Sequence, residues 1–249
     1  MQLKAMIVHL DRAIGRAKQV DRLRRELSIM CQVVDAIDGT KLTGAENSYY
    51  ERKWVSPIYP FDLRHAEIAC FLSHRKCWQH IVDQNVDVAL ILEDDAELEL
   101  STFNVAMDLA LAILKPGDFI RFPVKQREFD GTVIASNSLV TLRKPNHIAL
   151  GMVGQIVTKE AAAKLLAASE RFDRPVDCFL QIDWLHGANV LSVWPSGVSE
   201  ISQALGGSMI DHKSKSIGSK LRREVLRPIY RSRIKKAVRL NTKNALEPQ

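Results

Sequence analysis

Hydrophobic and polar positions fall into blocks whose period changes along the chain. Residues 4–10 (KAMIVHL) are an apolar run bounded by charge, which predicts a buried strand. Asp11-Arg12 closes that run, and residues 15–27 predict a basic helix. A second strand is predicted over 31–36, followed by Asp38-Gly39, a turn pair. Residues 46–64 hold Pro57, Pro60 and scattered aromatics without a period and read as irregular. From 66 to 82, Ile68, Phe71, Leu72, Trp78, Ile81 and Val82 recur at three and four spacing, one face of a helix. Residues 86–92 (VDVALIL) form an apolar strand of the kind covered on both faces, and it runs straight into Glu93-Asp94-Asp95. A helix follows at 103–114, closed by Lys115-Pro116-Gly117. Short strands are predicted at 119–122, 132–134 and 139–142. Residues 147–157, with Gly151 and Gly154, read as a strand or a close-packed turn. An Ala/Leu helix spans 159–169, and a late strand at 190–194 ends at Pro195.

Strands alternating with helices predict an α/β domain with a mainly parallel sheet. The 249 residues, 46% of them hydrophobic, suffice for one large core with at most a small appendage. The net charge of +6 is unevenly held. Residues 213–243 carry 12 Lys or Arg against the single acid Glu224, so the rest of the chain is acidic. This divides the chain into a body, 1–212, and a basic tail, 213–249. In the tail, Ile217, Leu221, Val225, Ile229 and Ile234 recur at three to five spacing among bases, interrupted by Pro228. Such a pattern suits an anionic membrane surface. Nucleic acid is not expected as a partner, because no reader motif accompanies the charge; a solvated tail is the plain alternative. The sequence shows no apolar run of about 18 residues and no signal-peptide core. The expectation is a cytoplasmic chain, peripheral on the inner face of the cytoplasmic membrane. Cys31, Cys70, Cys77 and Cys178 form no C-x-x-C pair and read as reduced thiols.

Glu93-Asp94-Asp95 is the first candidate for chemistry. Adjacent carboxylates repel one another and are costly to bury, and in open α/β sheets ligands bind beyond the carboxyl ends of strands. Hard oxygen donors suit magnesium or manganese. Strand alternation would aim Glu93 and Asp95 one way and Asp94 the other. Helix capping by Asp94 or Asp95 is an equal alternative on residue type alone. A receiver domain would need a phospho-accepting Asp on a later strand, yet no Asp lies between Asp130 and Asp173. A haloacid-dehalogenase phosphatase would need a hydroxyl where Ala96-Glu97 stands. On the preceding helix, Glu67, Cys70, His74 and Cys77 share a second face. That is a soft-metal set or, more simply, packed thiols and a satisfied histidine.

Ala66-Glu67-Ile68-Ala69-Cys70-Phe71-Leu72-Ser73-His74, then Trp78, then the strand ending in Glu93-Asp94-Asp95, together resemble glycosyltransferase family 25. Leu10-Asp11-Arg12, Arg16, Ala36-Ile37-Asp38-Gly39, Pro175-Val176-Asp177 and Trp194-Pro195 are similar to further marks of that family. The sequence departs from the pattern at His65 and Ala69, where Gly is usual. It departs again at Gln155 and Ala161-Ala162, where an aromatic and a Gly-Ala pair are usual.

The resemblance implies a GT-A-like fold and an inverting transfer of a hexose, galactose first. The donor would be a UDP-sugar, and the acceptor a lipopolysaccharide or other glycan or glycolipid. A Mn2+ or Mg2+ cofactor is assigned to Glu93 and Asp95, with His212 as a further ligand or a solvated tail residue. Donor contacts are assigned to Leu10, Arg12, Arg16, Ala36, Asp38, His74 and Asp94. Asp177 is the candidate base and Asp183 the second. For Asp177 a helix cap, and for Arg12 and Arg16 a solvated helix face, are the plain alternatives. A non-catalytic nucleotide-binding or membrane-associated scaffold is the competing class.

Overall fold

The computed structural model describes residues 1–128, 130–207 and 217–246, with side chains of the last stretch described over 222–241. Strand β1 (Leu3–His9) leads through a 3-10 turn (Ile14–Arg16) into α1 (Ala17–Glu26), β2 (Cys31–Asp35), the single turn α2 (Gly44–Asn47) and α3 (His65–Asp83). There follow β3 (Val88–Glu93), β4 (Ala96–Leu98), α4 (Leu100–Ile113), β5 (Asp118–Arg121), β6 (Gly131–Ser136), β7 (Thr141–Pro145) and β8 (Gly154–Thr158). The remaining elements are α5 (Lys159–Ala168), α6 (Val176–Leu180), α7 (Asp183–His186), β9 (Asn189–Trp194), β10 (Val198–Glu200) and α8 (Ile217–Leu246).

The main sheet has eight strands in the order β2-β1-β3-β8-β5-β9-β7-β6. The pairs β1–β2, β1–β3 and β5–β9 are parallel, and the other four are antiparallel. Followed across the sheet, these pairings reverse only β8 and β7, so six of the eight strands share one direction. β3 lies inside the sheet, which is why its sequence is apolar on both faces. Ala89 and Ile91 join the core under α3 and α5, and Val88, Leu90 and Leu92 join the core under α1 and α4.

The α3 face predicted from spacing packs as expected. Phe71 and Trp78 are fully buried, and Phe71 stacks on Phe172 with ring centroids 3.8 Å apart. The Glu67 carboxylate accepts from the Arg64 amide at 2.8 Å and closes the first turn of α3. Glu99 caps α4 by accepting from the Ser101 and Thr102 amides.

Three features depart from the sequence pattern. The stretch 147–157 is a strand only from Gly154; its first half is a loop. β4 and β10 are three-residue strands that pair antiparallel, with Glu200 opposite Ala96, and such short strands carry no period. Gly197, just before β10, has a φ of +68°, and a Cβ there would sit 2.3 Å from the Phe103 amide nitrogen, so only glycine admits this return of the chain. Finally, α8 runs unbroken through Pro228. The proline is exposed, so the carbonyl it leaves unbonded can turn to water.

α8 also packs on the body. Tyr230 and Ile234 are buried in the core shared with α3 and α6, and the Arg174 Nη1 donates to the Tyr230 hydroxyl at 3.0 Å. The junction between body and tail, with His212, lies outside the described residues.

Candidate active site

A cavity of about 1080 Å³ opens at the carboxyl ends of β1, β2 and β3. β3 ends at Glu93, and the chain turns at Asp94-Asp95 before β4. Strand alternation therefore stops at Glu93, and the expectation that Asp94 points away from Asp95 is corrected. A single guanidinium bridges the two: Arg16 Nη1 lies 2.5 Å from Asp94 Oδ1 and 3.0 Å from Asp95 Oδ2. Asp94 Oδ2 is also held by His9 Nδ1 at 2.8 Å and lies 3.4 Å from the Leu10 amide. Burial works against the Arg16 charge, but the Asp94 hydrogen bond and the three carboxylates hold its pKa above the ordinary value.

Asp95 differs from its neighbour. Its Oδ1 is buried and has no hydrogen-bond partner, and burial followed by repulsion from Glu93 pushes its pKa up to about 7. Glu200 of β10 adds to that repulsion and lines the same cavity. Glu93, Asp95 and Glu200 thus line one cavity, in which a buried Asp95 oxygen lacks a donor. A divalent cation fits this set by charge and by its hard oxygens. Glu200 was missed from the sequence, since 105 residues separate it from Asp95.

Glu93 is oriented from α3. With the Gln155 amide donating to His74 Nδ1 at 3.1 Å, the proton sits on Nε2, which donates to Glu93 Oε1 at 3.2 Å. Gln155, noted above only as a departure, fixes the tautomer. Cys70, His74 and Glu93 bring three ligand atoms within 4.8 Å of one another. Both nitrogens of His74 are already bonded, however, and Cys77 is packed into the core, so the soft-metal set on α3 dissolves. Glu67 pairs with Arg64 instead.

Asp177 also lines the cavity. Its Oδ1 accepts from the Cys178 amide at 2.8 Å and its Oδ2 from the Gly151 amide at 3.2 Å. Burial raises its pKa against these two bonds. The Cys70 thiol is pushed well up, by burial first and then by Glu93 and Asp177. Asp183 sits in the first turn of α7 and does not line the cavity, so this second base candidate is set aside. Leu10, Arg12, Arg16, Ala36, His74 and Asp94 do line it. Asp38 lies just behind, accepting from Arg12 Nε at 2.9 Å.

The segments before β6 and after β7 are tied together by Arg121, which pairs with Glu128 and donates to the Gly151 carbonyl.

The family model described as glycosyltransferase family 25 (LPS biosynthesis protein) matches residues 2–180. The chain belongs to glycosyltransferase family 25. Among curated relatives, procollagen galactosyltransferase 2 of Mus musculus is 26% identical over 185 residues, 71% of this chain and 29% of that protein. A probable inactive glycosyltransferase 25 family member 3 of Bos taurus is 29% identical over 192 residues, 68% of this chain and 30% of that protein. This family 25 chain spans 16% to 30% of the length of the curated relatives reported for it. Among solved structures, a glycosyltransferase involved in glycosylation of the major capsid of PBCV-1 aligns over 68% of this chain and 65% of its own. The TM-score is 0.35 and the identity 9%.

Proposed function

We propose that this chain is an inverting glycosyltransferase of GT-A-like architecture that moves a hexose, galactose first, from a UDP-sugar to a hydroxyl of a glycan or glycolipid acceptor. The observation that carries the reading is the buried, unpartnered Asp95 Oδ1 in a cavity that Glu93, Glu200 and Asp177 also line. Glu93, Asp95 and Glu200 would hold Mn2+ or Mg2+, which supplies Lewis-acid neutralisation of the leaving diphosphate. The chain's own residues do the rest. Arg16 adds a fixed positive charge beside the acids, and His9 and the Leu10 amide hold Asp94 for the donor's ribose or sugar. Asp177 takes the proton from the acceptor hydroxyl as its oxygen bonds to the anomeric carbon and the bond to the diphosphate oxygen breaks. Attack on the face opposite the leaving group inverts that carbon. A raised pKa makes Asp177 a stronger base than an exposed carboxylate.

The test is transfer by purified protein from a panel of UDP-sugars, with UDP-galactose expected to be fastest. No turnover from any of them would overturn the reading and favour a non-catalytic member.

The membrane expectation narrows. Among the described residues no helix is long and apolar enough to cross a membrane. Ile234 is docked on the body, whereas Val225, Ile229 and Leu240 are exposed on α8 among bases. These three would touch an anionic leaflet. Substituting all three with Ser is expected to reduce cosedimentation with phosphatidylserine vesicles at least fivefold; unchanged cosedimentation would remove the leaflet role.

A further inference from the structure

The cavity lining is charged throughout. Glu93, Asp94, Asp95 and Glu200 stand with Arg12 and Arg16. Arg127, Arg227, Arg231, Lys235 and His147 also line it, with Asp130 near His147 and with Glu128, Glu67 and Asp177, whose carboxylates are held by Arg121, Arg64 and the Gly151 and Cys178 amides. Arg227, Arg231 and Lys235 follow one another at four-residue spacing on α8, so they share a stripe. The adjoining stripe, Tyr230, Ile234 and Val238, packs against the core. The helix is therefore fixed by its apolar residues, and the bases beside them are held at the cavity. All three bases are exposed, and among the described residues none of them, nor Arg127, forms an ion pair with a carboxylate.

His147 is shifted down by burial first and then by Lys235 and Arg239, with Asp130 opposing. The lining beside these bases also carries aromatic rings. Tyr59 stands edge-on to Tyr230 at 5.2 Å and to Phe61 at 5.5 Å, and all three line the cavity. Tyr230 is buried beneath Arg174 and Phe61 lies under Arg223, so Tyr59 is the ring left beside the unpaired cations to meet a sugar that bears a negative charge. His147 Nδ1, buried and without a partner, offers one more polar atom there.

We infer that the α8 wall is an acceptor subsite for an anionic sugar, one bearing a phosphate or a carboxylate. This rests on the transferase reading above, with the donor at Glu93, Asp94 and Asp95. The subsite attracts its ligand through charge, so its preference weakens with salt. Truncating its bases should leave the donor site untouched.

The test is calorimetry on the full chain with glucose 6-phosphate, glucuronate and glucose, each in the presence of manganese and UDP. The same titrations are run on an Arg231→Gln/Lys235→Gln double variant. Tyr230 and Ile234 are retained in that variant, so its melting temperature is expected to match wild type. Wild type should bind at least one of the two anionic sugars at least tenfold more tightly than glucose, and which of them gains more tells phosphate from carboxylate. The double variant should lose that preference while its affinity for UDP stays within twofold. Equal affinity for charged and neutral sugars, a preference that survives in the variant, or a parallel loss of UDP affinity would each overturn the subsite. If no UDP-sugar is turned over yet the charge preference is present and vanishes in the variant, the anionic-sugar site stands and only the transfer reading falls.

Discussion

Asp177→Asn is expected to lower the transfer rate by about 10²–10⁴-fold, the range for losing a positioned base, while the KM for the donor changes little. Asn keeps the volume and can still accept a bond from the Gly151 or Cys178 amide, so the loop should hold its shape. The carboxylate's proton-accepting capacity is what disappears. The wild-type profile carries a second signature. Burial raises the Asp177 pKa, so the acid limb of kcat/KM should fall at a higher pH than an exposed carboxylate gives, with the rate rising as the group loses its proton. A variant within threefold of wild-type kcat would place the base elsewhere.

Asp95→Asn should separate stability from activity. The folded-state pKa of Asp95 is pushed up to about 7, above its ordinary value of 3.8. The folded protein therefore holds a proton that the unfolded chain releases, and stability falls as pH rises from about 4 to about 7. At about 1.4 kcal/mol per unit the penalty has a ceiling of about 4 kcal/mol. Arg16 loses one of its two partners in the variant, so the expected net gain at pH 8 in EDTA is about 2 kcal/mol. For a chain of this size that is a rise of roughly 4–8 °C in melting temperature. The gain should vanish near pH 4, and transfer should be abolished at both pH values. A variant that melts below wild type at pH 8 would show that Asp95 is not strained by its neighbours.

How much of this was legible in the sequence depends on the reach of each contact. The α3 helix and the β3 strand were readable because burial imposes a period within one element. The acidic turn was readable because it follows directly from β3. The aim of its side chains was not, since alternation holds only while the strand continues, and the chain turns at Asp94. Gln155 had no meaning alone; it acquires one because β8 pairs with β3, which brings it beside His74. Glu200 and the bases of α8 reach the cavity from more than 100 residues away. Local patterning carries no trace of that. The tail illustrates the same limit: its charge suggested a leaflet, while Tyr230, whose burial docks the helix, lay outside the aliphatic pattern that defined it. Removing everything after the body would therefore take away core residues as well as bases.

The most direct measurement of the central claim is the rate of UDP-sugar transfer by the purified chain before EDTA, after EDTA, and after manganese is restored. The account predicts that EDTA abolishes turnover, that manganese or magnesium restores it, and that Asp95→Asn cannot be rescued by either ion. Turnover untouched by EDTA, with Asp95→Asn as active as wild type, would contradict it.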